Sequence, residues 1–354
     1  MQPADSLSAG MSQAWEMILG GVMVRGRAIA LRLAPVVVLC GVLVSACAQG
    51  RVGSPSPTVA RPTPTPSSSE TSTDAQVRAA ANAYLQARTQ MLVRGVPDSS
   101  LRDVCAPGSG LADRVLWWAA GTRLSARGRE IGVPRWGYAS ASLSVIVRHV
   151  TIDQEAGTAS VLDFTRPGPG DRRLVDSAPA YHLVSLVRTE NGRWLAQADT
   201  STAYDPDLPT YLRAGGAPPA VVMAARAEVR RAQHPGTPPV GSLTPLRAWC
   251  AAMNAHEVAA LKATFTPDSD IQTASDAQIA ASLFAATSPP HRRDWRVIGM
   301  KLLGTQIPGV ACGWVSYRFM SDEAASLPGS RGYAAFAYLE RQADGRWLIF
   351  LPPD

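Results

Sequence analysis

Glu190-Asn191-Gly192-Arg193-Trp194-Leu195 and Ala343-Asp344-Gly345-Arg346-Trp347-Leu348 carry the same Gly-Arg-Trp-Leu run 153 residues apart. In each copy an Asn-Gly or Asp-Gly pair stands between apolar runs, the strongest short signal for a β-hairpin. Upstream, Leu101-Arg102-Asp103-Val104-Cys105-Ala106-Pro107-Gly108-Ser109 lies over Leu261-Lys262-Ala263-Thr264-Phe265-Thr266-Pro267-Asp268-Ser269 at an offset of 160, matching Leu, Pro and Ser. Two landmarks in the same order make the chain two related halves.

Between the landmarks each half is rich in β-formers. In the first, Leu143 to Ile152, a turn at Glu155-Ala156-Gly157-Thr158, Ala159 to Phe164, Tyr181 to Val187 and Trp194 to Ala198 read as four strands. In the second, Trp295 to Leu303, Ala311 to Phe319, Tyr333 to Leu339 and Trp347 to Leu351 follow the same order. Helical spacing precedes each set. Val77, Ala80, Ala81, Tyr84, Met91 and Leu92 form one stripe, with Asp74 available as N-cap. Pro245 suits a first helical turn that puts Leu246, Trp249, Cys250 and Met253 on one face. Helices followed by an antiparallel sheet define an α+β domain with its helices on one sheet face.

The N-terminal segment carries a different signal. Arg25, Arg27 and Arg32 precede an uncharged run of 14 residues, Leu33 to Ala46, and Val44-Ser45-Ala46-Cys47 closes it. A basic region followed by an apolar one is the pattern of an export signal. The run falls short of the roughly 17–25 residues that span a bilayer, and Pro35 interrupts it. Met23-Val24-Arg25-Gly26-Arg27 opens like a signal peptide, which makes Met23 a candidate start. From Gln49 to Asp74 the chain is Pro-, Ser- and Thr-rich; as extended polyproline its 26 residues reach about 80 Å. The expected organisation is therefore a signal peptide at 1–46, a disordered tether at 47–74, a first domain at 75–202, a linker with a short solvated helix at 203–242, and a second domain at 243–354.

Two resemblances follow from these residues. Small residues ending in Cys47 look like the lipobox of bacterial, in particular actinobacterial, lipoproteins, which implies a lipid on Cys47 and a protein held at the extracytoplasmic face of the cell membrane. The order of helices and strands, Pro107 and Pro267 after the second helix of each half, and the final Gly-x-Trp hairpin resemble the nuclear-transport-factor-2-like superfamily, including its SnoaL-like members. That resemblance covers about 75–202 and 243–354. It implies tandem domains in which N-terminal helices pack into a curved antiparallel sheet, forming a cone.

Of the 354 residues, 46% are hydrophobic and 18% charged, so collagen-like and wholly disordered readings fall away. The net charge of +6 rests on 34 basic residues of which only Lys262 and Lys301 are lysines, a bias that points to a GC-rich genome. The arginines are spread out rather than interleaved with aromatics, so nucleic acid is not an expected partner. No Ser-x-x-Lys or Gly-x-Ser-x-Gly is present, and Ala260 stands where a His256-Glu257 zincin would need its second histidine. The histidines at 149, 182, 234, 256 and 291 form no cluster, and no metal or cofactor is expected. Cys105 is read as packing, because its repeat counterpart is Phe265. Adjacent Trp117 and Trp118 cannot both face one core, so one borders a pocket or a partner, or wedges beside a helix.

The weak catalytic candidates are Asp163 and His182, on neighbouring predicted strands, since enzymes of the resembled superfamily use Asp or His as general bases. Their counterpart strand in the second half offers no carboxylate or imidazole. The sequence reading is thus a non-enzymatic, lipid-anchored interaction or scaffold module at the cell envelope with an envelope protein partner. A carrier of a small hydrophobic ligand is the alternative, and an isomerase- or hydrolase-like enzyme the third. Cys105, Cys250 and Cys312 remain after processing in an oxidising compartment, and Cys250 with Cys312 is the candidate disulfide, closing a loop of about 60 residues and contributing roughly 4 kcal/mol.

Overall fold

The computed structural model describes residues 68–94, 97–129, 143–167, 179–284, 295–318 and 333–351. The export signal, Cys47 and most of the tether lie outside the described residues. Helix α1, Ser68–Arg94, is followed by α2, Asp98–Arg102, and α3, Leu111–Arg129. Strands β1 (Leu143–Asp153), β2 (Thr158–Pro167), β3 (Ala180–Arg188) and β4 (Trp194–Ser201) form an antiparallel sheet in the order β1-β2-β3-β4. Helices α4, Leu208–Ala214, and α5, Pro219–Gln233, lead to the second half. There α6, Thr244–Ala255, α7, Val258–Lys262, and a short α8, Asp276–Ile279, precede β5 (Arg296–Leu302), β6 (Val310–Arg318), β7 (Tyr333–Arg341) and β8 (Trp347–Phe350), again an antiparallel meander.

The repeat extends to single hydrogen bonds. After α2, Cys105 makes an isolated parallel bridge to Ala196 in β4, and after α7, Phe265 makes the same bridge to Ile349 in β8. The bonds match as well: Ala106 N–H donates to Ala196 O at 2.7 Å, and Thr266 N–H to Ile349 O at 2.9 Å. Both final hairpins turn through three residues, with Thr189 paired to Arg193 and Gln342 to Arg346. Gly192 and Gly345 take φ of 81° and 85°, the left-handed position that closes a type I turn into a bulge.

Strand alternation divides each sheet into two faces. Val161, Val184 and Leu186 pack under α1 and α3, while Ala311, Val315, Leu339 and Ile349 pack under α6 and α7. The opposite faces meet each other. Leu162, Phe164 and Tyr181 of the first sheet share one buried core with Val310, Cys312 and Phe350 of the second. The layers therefore run helix, sheet, sheet, helix. Phe164 lies edge-on to Tyr181, Tyr338 and Phe350, with ring centroids 4.9–5.1 Å apart, the favoured aromatic geometry.

A charged clamp crosses the same interface. A bulge between Val147 and His149 takes Arg148 out of the β1–β2 ladder, on the same face as Ile146 toward the second sheet. Its guanidinium binds Glu340 through both oxygens at 2.7 and 2.8 Å, pairs with Asp268, and lies 3.8 Å from the centre of the Phe350 ring. Glu340 is buried and also accepts from Tyr181 Oη at 2.9 Å. Burial opposes the charge on Arg148, and Glu340 and Asp268 more than restore it. In the turn before β6, Gly304 has φ of 71°, and a Cβ there would lie 1.5 Å from the carbonyl oxygen of Thr202.

Three expectations change. Helix α1 begins at Ser68, inside the expected tether, so Asp74 does not cap it and instead pairs with Arg78 one turn on. The 203–242 segment is not a solvated linker: Leu208, Leu212, Val222 and Ala225 bury a core of their own against Trp117 and Trp118. Helix α5 is amphipathic, and Glu228 on it pairs with Arg114 of α3. Finally, Cys250 and Cys312 form no disulfide. Cys250 belongs to the helix-side core and Cys312 to the inter-sheet core, so the second sheet separates them.

Candidate functional site on the helix side of the first sheet

Asp163 in β2 and His182 in β3 are direct register partners, so they share a face of the sheet, the one beneath the helices. Both are buried. The structure brings the two sequence candidates together without bonding them. His182 Nδ1 donates instead to Asp199 Oδ1 at 2.9 Å, and its Nε2 lies 3.4 Å from Ser201 Oγ. From α1, Tyr84 Oη donates to Asp199 Oδ2 at 3.1 Å, and Arg88 Nε approaches the same oxygen at 3.5 Å. Burial pushes the Asp199 carboxyl upward, but His182, Arg88 and Tyr84 together hold it down at about 2. It is therefore the ionised hub of a buried network.

Sequence reasoning missed Asp199 for a definite reason. Ala196 faces the helices, and plain alternation from it would send Asp199 to the opposite face. A register shift opposite Ser185 and Leu186 inserts one residue into β4, reversing the phase so that Asp199 sits across from Val184. Arg88 and Tyr84 share the α1 face read as apolar. Trp118 of α3 lies over the Arg88 guanidinium at 5.2 Å and hydrogen-bonds Asp205. Both members of the Trp117–Trp118 pair are thus spent on packing beneath α4 and α5.

Asp163 differs from its neighbours. It is 0% exposed, and neither carboxylate oxygen has a hydrogen-bond partner among the described residues. Burial, and then the negative charge of Asp199, raise its carboxyl to about 7, with Arg78 pulling weakly the other way. Thr89 Oγ1 on α1 is likewise buried and unbonded. Cys105, near Asp199, is pushed up to about 12, mainly by burial, so no thiolate nucleophile is at hand.

The second half shows what the architecture requires at these places. Where Asp163 faces His182, Val315 faces Ala335. Leu85, Arg88, Thr89 and Met91 are among the buried positions of α1, and Leu246, Trp249, Cys250 and Ala252, among those of α6, repeat that spacing. Among the described residues the polar floor belongs to the first half alone. Among the described residues no group of three His, Cys, Asp or Glu could hold a metal ion, and no helix is long and apolar enough to cross a membrane. Comparison with protein-family models and with curated proteins returns no match. Fold and site together define a protein of two tandem α+β halves, one with a polar interior and one with an apolar interior.

Proposed function

We propose that this is a lipid-anchored extracytoplasmic protein, non-enzymatic, whose first domain binds a small molecule at the Asp163 floor while the second domain braces it. Both halves are read as SnoaL-like domains of the nuclear-transport-factor-2-like type, joined through their sheets. The observation that carries the reading is the unpartnered, fully buried Asp163 at a position where the repeat places Val315. An unpaired buried carboxyl costs several kcal/mol, and the second half shows that the fold does without it. Its retention fits a group that reaches it from outside the chain. The enzymatic reading is disfavoured because the imidazole of His182 and the thiol of Cys105 are both buried.

Native mass spectrometry of the detergent-released protein tests the binding function. A constant-mass adduct on the wild type that is lost in Asp163→Val is the expected result. Bare protein in both samples overturns ligand binding and leaves the scaffold reading, which the clamped inter-sheet core favours. Labelling with a palmitate analogue tests the anchor: wild type should be marked and Cys47→Ala should not, and equal labelling of the two overturns it.

A further inference from the structure

The polar groups around Asp163 constrain what can satisfy it. From α1, Arg88 and Tyr84 are directed to Asp199, and Arg78 acts on Asp163 only as a distant charge. From β3, His182 is committed to Asp199, which itself sits on β4. From β1, the register partner of Asp163 is Val147, and from the loop after α2 comes the protonated thiol of Cys105. The buried charges of Arg88 and Asp199 offset each other, and the positive partners nearby are already engaged. An anionic ligand would meet two carboxyls with no free cation among these groups. A neutral hydroxyl offers one donor for two empty oxygens, whereas a primary ammonium offers three donors and the missing positive charge.

We infer that the small molecule bound in the first domain carries a primary ammonium group that pairs with the two unpartnered oxygens of Asp163, an inference that rests on the ligand-binding reading above. Val161, Val184 and Ala81 belong to the same buried helix-side core, which suits an apolar remainder of the ligand. Binding is an exchange of a proton for a cation: the free protein holds a proton on Asp163 below about 7, and the incoming ammonium displaces it to solvent.

The test uses three probes of one size, n-butylammonium, 1-butanol and butyrate, titrated calorimetrically into the full chain at pH 6 in phosphate and in Bis-Tris, buffers of different ionisation enthalpy without a primary amine. Butylammonium should bind tightest and release up to one proton, and Asp163→Asn should weaken it about 30-fold or more. Because proton release is read on the wild type, the test stands even if the variant fails to fold. Equal or tighter binding of 1-butanol or butyrate, butylammonium binding without proton release, or butylammonium binding untouched by Asp163→Asn each overturns the ammonium inference and leaves a ligand site of other chemistry. Absence of binding by all three probes overturns the inference together with the reading beneath it.

Discussion

The two halves of this protein share helix order, strand order, the last hairpin and the parallel bridge that ties the second helix to the last strand, yet they fill the space under the helices in opposite ways. The second half packs Trp249 edge-on to Trp295 at 5.0 Å and sets Val315 at the floor. The first half places Arg88, Asp163, His182 and Asp199 there. A repeat makes one half a control for the other. Backbone features present in both answer to the fold, and side chains present in one half answer to something else. Apolar filling is the low-energy solution in such a space, and a buried polar network is tolerated when each member is satisfied. Asp199 meets that condition, and Asp163 does not.

The largest expected effect lies at the join between the halves. Arg148→Ala leaves Glu340 buried with only Tyr181 as partner, and should destabilise the chain by about 3–5 kcal/mol in urea unfolding. Arg148→Met combined with Glu340→Leu should recover much of that loss, because removing both charges leaves no uncompensated ion. A double variant as unstable as Arg148→Ala would mean that the ion pair itself, rather than the orphaned charge, sets the cost.

Exchanging floor residues comes next. Asp163 has a folded pKa raised to about 7 against an unfolded value of about 3.9. Between those values the native state keeps a proton that the unfolded chain has lost, so stability falls as pH rises from about 4 to about 7 and levels above that. The span corresponds to at most about 4 kcal/mol. Asp163→Val should remove the part of the slope that Asp163 carries, leaving that of Asp205, whose carboxyl burial raises to about 6, and should unfold at higher urea than wild type at pH 8. The reverse exchange, Val315→Asp, should introduce the slope into the second half with a loss of a few kcal/mol at pH 8. A wild-type urea midpoint that does not fall between pH 4.5 and 8 would break the contrast between the floors. Asp199 acts in the other direction, since its depressed pKa contributes stability above about 4 that is lost only as pH falls toward 2.

Smaller effects sharpen the picture of the inter-sheet core. Gly304→Ala adds a methyl against the Thr202 carbonyl at a positive φ, and about 1–3 kcal/mol of destabilisation is expected. A neutral result by thermal melting would mean that the two sheets are not closely docked there. Smallest is the coupling between Cys250→Ala and Cys312→Ala. The residues lie on opposite faces of the second sheet, so their effects should add to within about 0.5 kcal/mol. A larger coupling, or a mass two units low without reductant, would restore the disulfide.

The eight strands, their order and the α+β class were legible in the sequence because each rests on local chemistry. Asn191-Gly192 and Asp344-Gly345 fix their turns by backbone preference, and β-branched runs of alternating character need no distant partner to be read. The buried stripe of α6 was legible for the same reason, since its spacing sets its face. Helix α5 was seen as a helix, but the burial of one side of it was not, because what covers Val222 and Val229 is a different segment.

The sequence by itself determined the repeat, the order of helices and strands and the hairpin turns of each half, all consequences of periods and turns within a few residues of one another. Only the tertiary structure decided which groups the side chains answer to. A single extra residue in β4 turned Asp199 inward to take His182, and a bulge in β1 took Arg148 out of the ladder and returned Val150 and Ile152 to the helix face. Bulges leave almost no mark on local composition, yet each reverses the face of every residue that follows it. The face-to-face docking of the sheets was hidden for a related reason: Leu162, Phe164 and Phe350 read as apolar in either setting, and apolar attraction carries no address in the sequence.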